Sequence, residues 1–354
     1  MMHPGEIVCT LAPCGRNSRN SEGSFAFLPD GRVRFLYSRF EDDTGSDDAN
    51  CDIAEIVSSD GGKTWSEPRV RFRAADCGAD NLMSVSLLRM GNGELGLFYL
   101  VKEDWRSRYV LRRSADGGET WSAPMDCIGD PGYHVVNNDR VVRLSSGRLV
   151  IPAAVHTPRS MGKNGARDVR PDAFDVFYLS DDDGASWRQS RTAAAFFSPY
   201  NPAGLQEPGA VELPGGLLWG YARTSLGRQY EFFSPDGGES WTPAQPSQFT
   251  SPCSPMHIRR SPSGARLLAV WNPAPAYPTR GVPWGHDRNP LVYALSDGGM
   301  AFGEPVVLED TPGRGYCYPA IGFADEHTVL LAYCAGGDED GGCLNRTVIR
   351  RIEI

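Results

Sequence analysis

The stretch Ser58-Ser-Asp-Gly-Gly-Lys-Thr-Trp65 decides the fold, because its pattern S-x-D-x-G-x-x-W occurs four times along the chain. The other copies span Ser114–Trp121, Ser180–Trp187 and Ser234–Trp241, and Leu295–Phe302 is a degenerate fifth. Each copy predicts a hairpin turn in which the aspartate accepts hydrogen bonds from backbone amides, a glycine adopts positive φ and the tryptophan packs on its own sheet. Such repetition indicates one structural unit used many times.

A second repeat predicts the number of units. Six segments read as a strand, a polar or glycine-bearing turn and a second strand: residues 25–37, 86–99, 140–152, 210–221, 258–271 and 321–333. Most of them are followed by a copy of the first motif, so two hairpins make one four-stranded unit. We therefore predict an all-β protein, a six-bladed β-propeller formed by residues 1–354 as a single domain.

The two ends of the chain and its polar segments complete this prediction. Residues 6–11 and 347–354 both read as strands, and we expect one end to complete a blade begun by the other, which closes the ring. Residues 41–50, 156–172 and 272–287 are polar or rich in proline and glycine, which favours loops.

Composition excludes several classes of protein. The net charge of −9 and the lack of a basic run argue against a nucleic-acid partner. No apolar run reaches the length of a membrane-spanning helix. Nine scattered cysteines without a C-x-x-C pair favour reduced thiols. The sequence as written begins without a signal-peptide pattern, which predicts a cytoplasmic protein, or a secreted or periplasmic one if a leader has been removed. The oligomeric state stays open.

Four further stretches resemble catalytic segments of the sialidase (neuraminidase) superfamily. They are residues 206–236, 286–299, 315–321 and 46–55. The resemblance covers nearly the whole chain, and it implies an exo-α-sialidase-like glycosidase that releases terminal α-linked sialic acid with retention of configuration. It implies a sialylated or other acidic glycan as substrate, and neither a metal nor an organic cofactor.

The resemblance also implies roles for particular residues. Tyr318 matches the nucleophile, with Tyr316 as the alternative, and Glu207 matches the base that activates it. Asp48 matches the general acid best, and Asp47 is a close second. The substrate-binding arginines are matched by Arg228 and Arg288, while Arg223 reads as a supporting cation.

These residue types suit the chemistry. The anomeric carbon of a sialoside carries a carboxylate, and a neutral tyrosine approaches it without the like-charge repulsion that a carboxylate nucleophile would meet. A phenol is a poor nucleophile until a nearby base accepts its proton. The planar guanidinium of arginine binds both oxygens of a carboxylate.

The first blade departs from the superfamily pattern. Its usual Arg-Ile-Pro segment is absent, and Arg19 lies about two positions early, so either Arg19 reaches the axis or Glu22 occupies that region. Two other functions therefore stay open: a hydrolase or lyase for another acidic sugar such as a uronate, and a carbohydrate-binding propeller without catalysis. Blade-entry residues in the third blade, Asn138 and Asp139 with Asn137, are predicted to bind sugar hydroxyls. Trp284 is a further candidate for stacking on a sugar.

Overall fold

The computed structural model describes residues 3–42, 44–103, 106–130, 132–158, 169–275 and 287–354. The strands of the first half are β1 (Glu6–Leu11), β2 (Arg19–Phe27), β3 (Val33–Phe40), β4 (Cys51–Ser58), β5 (Arg69–Phe72), β6 (Asn81–Arg89), β7 (Leu95–Glu103), β8 (Arg106–Ser114), β9 (Met125–Asp126), β10 (Tyr133–Val135), β11 (Val142–Arg143), β12 (Leu149–Pro158) and β13 (Val169–Ser180). Those of the second half are β14 (Arg188–Gln189), β15 (Gln206–Glu212), β16 (Leu218–Arg223), β17 (Arg228–Ser234), β18 (Gln245–Thr250), β19 (His257–Arg260), β20 (Leu267–Trp271), β21 (Leu291–Ser296), β22 (Val306–Glu309), β23 (Cys317–Phe323), β24 (Thr328–Cys334) and β25 (Thr347–Glu353). Two short 3-10 helices cover Ala75–Cys77 and Asp338–Asp340.

The strands confirm an all-β propeller, but the prediction of six blades is wrong. In the described part of the chain, four sheets have four or five strands each, and a fifth sheet has eight. The eight-stranded sheet is continuous because Cys51 on β4 pairs in parallel with Asn81 on β6. The sequence repeats give the number of hairpins, but they do not show that two groups of hairpins are joined by the hydrogen-bonded pair Cys51–Asn81.

The ring closes through both ends of the chain, as predicted. β1 pairs antiparallel with β25, so the N-terminal strand is the outer strand of the sheet β1-β25-β24-β23. The pairing satisfies the backbone groups of β25 that would otherwise form an open edge.

The repeated S-x-D-x-G-x-x-W phrase forms the predicted turn. In the first copy, the Thr64 amide donates to Asp60 over 2.9 Å and the Trp65 indole donates to the Gly62 carbonyl over 3.2 Å. The other three full copies repeat the indole bond. The tryptophans fill the core between neighbouring sheets, where Trp241 stacks on Phe177 with ring centroids 3.9 Å apart. These residues stabilise the scaffold.

One predicted loop is partly strand. β12 extends to Pro158 and β13 begins at Val169, so most of the described part of segment 156–172 belongs to a long hairpin. Residues 159–168 and 276–286, which hold the rest of two predicted loops and Trp284, lie outside the described residues. Among the residues described, no helix is long and apolar enough to span a membrane.

Irregular backbone at the inner strands positions the functional site. Five non-glycine residues near the axis have φ between +52° and +59°: Glu22, Ser84, Asp139, Glu207 and Tyr318. Four of them lie at register shifts near the beginning of the inner strands β2, β6, β15 and β23. A bulge redirects a side chain out of the normal alternation, and left-handed backbone at a non-glycine residue costs about 1–3 kcal/mol. At the same end of these four inner strands, strained backbone therefore sets the direction of one side chain per strand.

Candidate functional site

A pocket of about 200 Å³ opens where these bulged residues meet. Its walls come from the inner strands and from the loops that join them to neighbouring strands. The lining residues are Glu22, Asp47, Met83, Ser84, Leu100, Lys102, Tyr133, Val135, Asn137, His156, Gln206, Glu207, Arg223 and Tyr318. Most of these residues are polar and both charges are present, and we call this site the axial pocket.

A tyrosine and a carboxylate form its central pair. The Tyr318 hydroxyl donates to Glu207 Oε1 over 2.9 Å, although the two residues are 111 positions apart in the sequence. Burial raises the pKa of Tyr318 well above its usual value, and the charge of Glu207 raises it further, against the opposing effect of Arg223 and Arg288. The phenol is therefore neutral in the resting protein, with a base in contact to accept its proton.

Arg223, rather than Arg228, joins this pair. Arg223 Nη1 lies 2.9 Å from Glu207 Oε2, and Gln206 Oε1 accepts from Arg223 Nη2 over 2.8 Å. Arg228 lines no part of the axial pocket and donates instead to the Ser247 carbonyl on β18. Arg223, predicted to be a supporting cation, therefore lies next to Glu207, where the substrate arginine Arg228 was expected.

Arg288 lies beside Tyr318. Its guanidinium carbon is 5.6 Å from the centre of the Tyr318 ring, and its Nη1 donates to Cys317 Sγ over 3.2 Å. Burial alone would raise the pKa of Cys317, but hydrogen bonds from Cys334 and Cys343 and the charge of Arg288 hold it well below the usual thiol value. The charges of Arg223 and Arg288 both act on the Tyr318 phenol and lower its pKa, against the larger effect of burial.

Arg19 reaches the site but is neutralised there. Its Nη2 contacts Glu22 Oε1 and its Nη1 contacts Asp47 Oδ1, each at 2.6 Å. Arg19 Nε also donates to Ser21, and its Nη1 to the Gly45 carbonyl. Glu22 lines the axial pocket, whereas Arg19 is buried next to it and does not line the pocket.

The two acidic residues around Arg19 have opposite pKa shifts. Burial raises the pKa of Glu22 to about 7 despite the nearby guanidinium. For Asp47, burial also acts upward, but the charges of Arg19 and Lys102 outweigh it and hold the pKa of this carboxyl far below its usual value. Lys102, which no sequence motif singled out, donates to the Asp47 carbonyl over 2.8 Å.

Asp47 and Asp48 are separated by this geometry. Asp47 and Asp48 both have exposed side chains, but only Asp47 lines the pocket. The backbone amide of Asp48 donates a hydrogen bond to Ser46 Oγ over 3.4 Å. The structure thus brings the second choice, Asp47, to the site rather than the first.

Of the residues predicted to bind sugar hydroxyls, Asn138 and Asp139 do not line the axial pocket. Asn138 donates to the carbonyls of Gly23 and Tyr318, and Asp139 accepts from Ser24, Arg259 and the Ile321 amide. These contacts tie three inner strands together beneath the pocket, so Asn138 and Asp139 position the wall rather than face a ligand. Tyr316 is also placed elsewhere, buried in a hydrophobic cluster with its ring against Tyr333.

Asn137 is the third-blade residue that faces the pocket. Its Oδ1 accepts from the Asn138 amide over 2.7 Å, which orients its amide group. Its Nδ2 is buried and has no hydrogen-bond partner in the described structure. A buried donor left unpaired costs about 1–3 kcal/mol, so Asn137 is suited to donate to an acceptor on a bound molecule.

Among the described side chains, no group of three or more histidine, cysteine, aspartate or glutamate residues could hold a metal ion. The pocket combines a phenol with a contacting base, the guanidinium group of Arg223 and two further carboxyls, while Arg288 lies over the Tyr318 ring without lining the pocket. This arrangement can transfer protons and stabilise an anionic group beside the phenol.

Comparison with known proteins agrees with this fold. A curated sialidase of Bacteroides fragilis is 22% identical over 317 residues, which are 80% of this chain and 54% of the relative, so the chain spans about half the length of that protein. A Dyadobacter fermentans protein of unknown function superposes with a TM-score of 0.72 at 17% identity and covers 99% of both chains.

An intramolecular trans-sialidase of Ruminococcus gnavus superposes with a TM-score of 0.70 at 14% identity, and the match covers 100% of this chain and 98% of that one. At these identities the structures show the shared fold alone. The model of the BNR repeat-like domain family matches residues 31–330, which is most of the sequence. This chain therefore belongs to the BNR repeat-like domain family.

Proposed function

We propose that this protein is a glycosidase of the exo-α-sialidase type, which releases a terminal α-linked acidic sugar of the sialic acid class from a glycan. The observation that supports this most directly is the 2.9 Å hydrogen bond from Tyr318 to Glu207, in a pocket that also contains Arg223. The trans-sialidase and sialidase names of its relatives agree with a sialoside substrate.

In the proposed reaction Tyr318 is the nucleophile. Glu207 accepts the phenolic proton as the Tyr318 oxygen forms a bond to the anomeric carbon, and the bond from that carbon to the leaving oxygen breaks. An acid donates a proton to the leaving oxygen. Water then attacks the anomeric carbon with the same acid acting as base, the tyrosyl–sugar bond breaks, and Glu207 returns its proton to the Tyr318 oxygen, so that two inversions give retention.

We assign the acid role to Asp47, which lines the pocket. In the resting protein Arg19 favours its ionised form. A substrate carboxylate that competes for Arg19 would weaken this contact and raise the pKa of Asp47, so substrate binding itself would prepare the acid. Arg223 and Arg288 supply the remaining positive charge around Tyr318.

A second candidate substrate class is a uronide, another acidic sugar. Glu22 favours it, because this carboxyl pairs with Arg19 and leaves less of the Arg19 charge for the acid group of a substrate. If Arg19 is occupied by Glu22, only two arginines remain to bind the acid group of the substrate, and it would be held less tightly than by three.

The test is hydrolysis of a fluorogenic α-sialoside and of a fluorogenic uronide by the wild-type protein and by Tyr318→Phe. We expect release from the sialoside and a loss of at least about 10³-fold in kcat for Tyr318→Phe, since the nucleophilic oxygen is removed. Tyr316→Phe is the matched control and should retain activity. Hydrolysis of the uronide alone would replace the sialoside assignment by the second candidate, and full activity of Tyr318→Phe would refute the nucleophile.

A further inference from the structure

A second pocket lies at the far end of the inner strands. Its walls include the last residue of four of these strands, which are Phe27 on β2, Arg89 on β6, Glu212 on β15 and Arg260 on β19. Glu22, Ser84 and Glu207, which line the axial pocket, lie five positions earlier on β2, β6 and β15. Five strand residues span roughly 16 Å, so the two pockets lie at opposite ends of the same strands. We call this second site, of about 390 Å³, the rear pocket.

The rear pocket is rich in positive charge, although the chain as a whole has a net charge of −9. Among the described residues, its lining contains Glu212 as the acidic residue and four arginines, which are Arg89, Arg143, Arg259 and Arg260. His257 also lines it, but burial holds the pKa of His257 well below its usual value, so this ring is neutral. Clustered guanidinium groups in a concave site attract anions.

Glu212 is already engaged by donors of the protein. Its Oε1 accepts from the Ser145 hydroxyl over 2.6 Å, and its Oε2 accepts from the Ser145 amide over 2.8 Å. Arg260 Nη1 also donates to Oε2, over 3.3 Å. These bonds hold the carboxylate as a fixed partner of Arg260, and they leave the other arginines to different partners.

Arg89 carries a charge that its described contacts do not balance. Its Nη1 donates to the Gly93 carbonyl over 3.0 Å, and its Nη2 donates to the Phe27 carbonyl over 3.4 Å. Both acceptors are neutral. By contrast, Arg143 pairs with Asp183 at 2.6 Å. A carboxylate or phosphate group in the rear pocket would supply the counter-charge that Arg89 lacks in the described structure.

The arginines are held in place by the ends of neighbouring strands. The Phe27 carbonyl accepts from Arg89, and the Arg89 carbonyl accepts from Arg143 Nη2 over 3.4 Å. Arg259 Nη1 donates to the Ile321 carbonyl on β23. A guanidinium has five N–H donors, and these partly exposed side chains use only some of them in the described structure. Groups that are already oriented lose little conformational entropy when they bind a ligand.

The rest of the lining is mostly apolar. It includes side chains from several inner strands and their neighbours, among them Phe25, Phe27, Leu87, Leu95, Val141 and Ile258. A small polar ion would leave this wall in contact with water, whereas an apolar tail would cover it and remove that surface from water. The lining therefore suits a molecule with an acid group at one end and an apolar body at the other.

We propose that the rear pocket binds a small amphipathic anion, which has one carboxylate or phosphate group and an apolar tail. The acid group pairs with Arg89, and the charges of Arg259 and Arg260 add to the attraction. The tail covers the apolar wall that includes Leu87 and Val141. The site is independent of the proposed glycosidase reaction, because its ligand contains no sugar and the two pockets share no lining residue among those described.

The test is a binding titration, followed by ligand-detected NMR, with four probes: octanoate, octyl phosphate, 1-octanol and acetate. We expect octanoate to bind the wild-type protein at least about tenfold more tightly than octanol, which lacks the charge, and than acetate, which lacks the tail. The ratio of the affinities for octanoate and octyl phosphate distinguishes a carboxylate from a phosphate as the preferred acid group.

Arg89→Gln should weaken octanoate binding by about tenfold, because the acid group loses a charge-assisted hydrogen bond. Arg260→Gln, a second substitution in the same lining, should weaken it by about threefold. Arg191→Gln is the matched control, since Arg191 lies between β14 and β15 and lines neither pocket. Arg223→Gln, in the axial pocket, should also leave octanoate binding within about twofold of wild type.

Equal weakening by Arg89→Gln and Arg191→Gln would overturn the proposal, because the charge of the whole protein would then attract the anion. Loss of binding in folded Arg223→Gln protein would assign the ligand to the axial pocket instead. Equal affinity for octanol would remove the role of the arginines, and equal affinity for acetate would reduce the site to an adventitious anion contact. If the wild-type protein binds neither octanoate nor octyl phosphate, the proposal is refuted, whether or not the protein cleaves sialosides.

Discussion

The guanidinium of Arg223 lies 2.9 Å from the carboxylate of Glu207, across the first two strands of one blade. The contact follows from strand register, because Gln206, the neighbour of Glu207, pairs directly with Arg223. One oxygen of Glu207 accepts a hydrogen bond from Tyr318, and the other faces Arg223 in an ion pair that lacks hydrogen-bond geometry. The ion pair adds positive charge next to the phenol.

Replacement of Arg223 should be far more damaging than replacement of Arg228. Arg223→Gln leaves the buried Glu207 without its cation, and breaking such a pair costs about 3–5 kcal/mol, so we expect kcat/KM to fall by about 10²–10³-fold. Arg228→Gln should stay within about threefold of wild type, because its side chain contacts the β18 backbone outside the pocket. Steady-state kinetics on a fluorogenic α-sialoside checks both. The reverse order would restore Arg228 as the substrate arginine.

Asp47 and Asp48 are distinguished by substrates with different leaving groups. If Asp47 donates the proton to the leaving oxygen, Asp47→Asn should lower kcat by about 10²–10⁴-fold on a natural glycan. On an aryl glycoside the loss should be much smaller, because an activated phenol departs without a proton. Asp48→Asn is the matched control, since this exposed side chain does not line the pocket. A loss that is equal on both substrates would argue that Asp47 only positions Arg19.

The choices between Arg223 and Arg228 and between Asp47 and Asp48 show which parts of the site can be predicted from the sequence. The Tyr318–Glu207 pair could be predicted because each residue belongs to a motif with its own local pattern. Arg223 and Arg228 are only five residues apart, on β16 and β17, and the difference between them is radial: β16 lies next to the inner strand, and β17 lies one strand farther out. A motif gives the order of residues along the chain, but it does not give their distance from the axis.

Contacts between distant parts of the chain also decide between Asp47 and Asp48 and determine how the sheets are joined. Asp47 differs from Asp48 by a contact with Arg19, which comes from a strand 28 residues earlier. The number of hairpins was readable from the repeats, whereas the Cys51–Asn81 bridge that merges two groups of them has no sequence pattern. Asn138 and Asp139 were read as ligand-facing, but their partners on other blades, such as Gly23 and Ile321, were invisible in the linear sequence.

Glu22 should give the activity a pH limit near neutrality. Its pKa is raised to about 7 in the folded protein, so the carboxyl is neutral below that pH and adds a negative charge to the pocket above it. An anionic substrate should then bind less well, and kcat/KM should fall as pH rises through about 7.

Glu22→Gln should remove this limb from the pH profile of kcat/KM. It should also change stability, because a carboxyl with a raised folded pKa stabilises the protein fully below its unfolded pKa of about 4.5 and loses that contribution as pH rises through about 7. Chemical denaturation across this range measures the second effect. An identical limb in the Glu22→Gln profile would assign the ionisation to another group.

Asp175 on β13 should destabilise the fold at neutral pH. It is fully buried, and neither carboxyl oxygen has a hydrogen-bond partner in the described structure. Burial raises its pKa well above the usual value, so the folded state favours the protonated form. The stability that this preference supplies is complete below the unfolded pKa of 3.8 and is lost as pH rises toward the folded pKa.

Asp175→Asn keeps the shape of the side chain and removes the ionisation. We expect it to increase the free energy of unfolding at pH 8 by about 1.4 kcal/mol for each unit by which burial raises the pKa of Asp175, because Asn has no ionisation to suppress, and to have little effect near pH 4. Asp182→Asn is the contrasting control. Hydrogen bonds from Ser186 lower the pKa of Asp182 to about 2, so its loss should destabilise the protein at pH 8. If denaturation at pH 8 shows Asp175→Asn to be less stable than wild type, the carboxylate must have a stabilising partner, and the buried-acid interpretation is wrong.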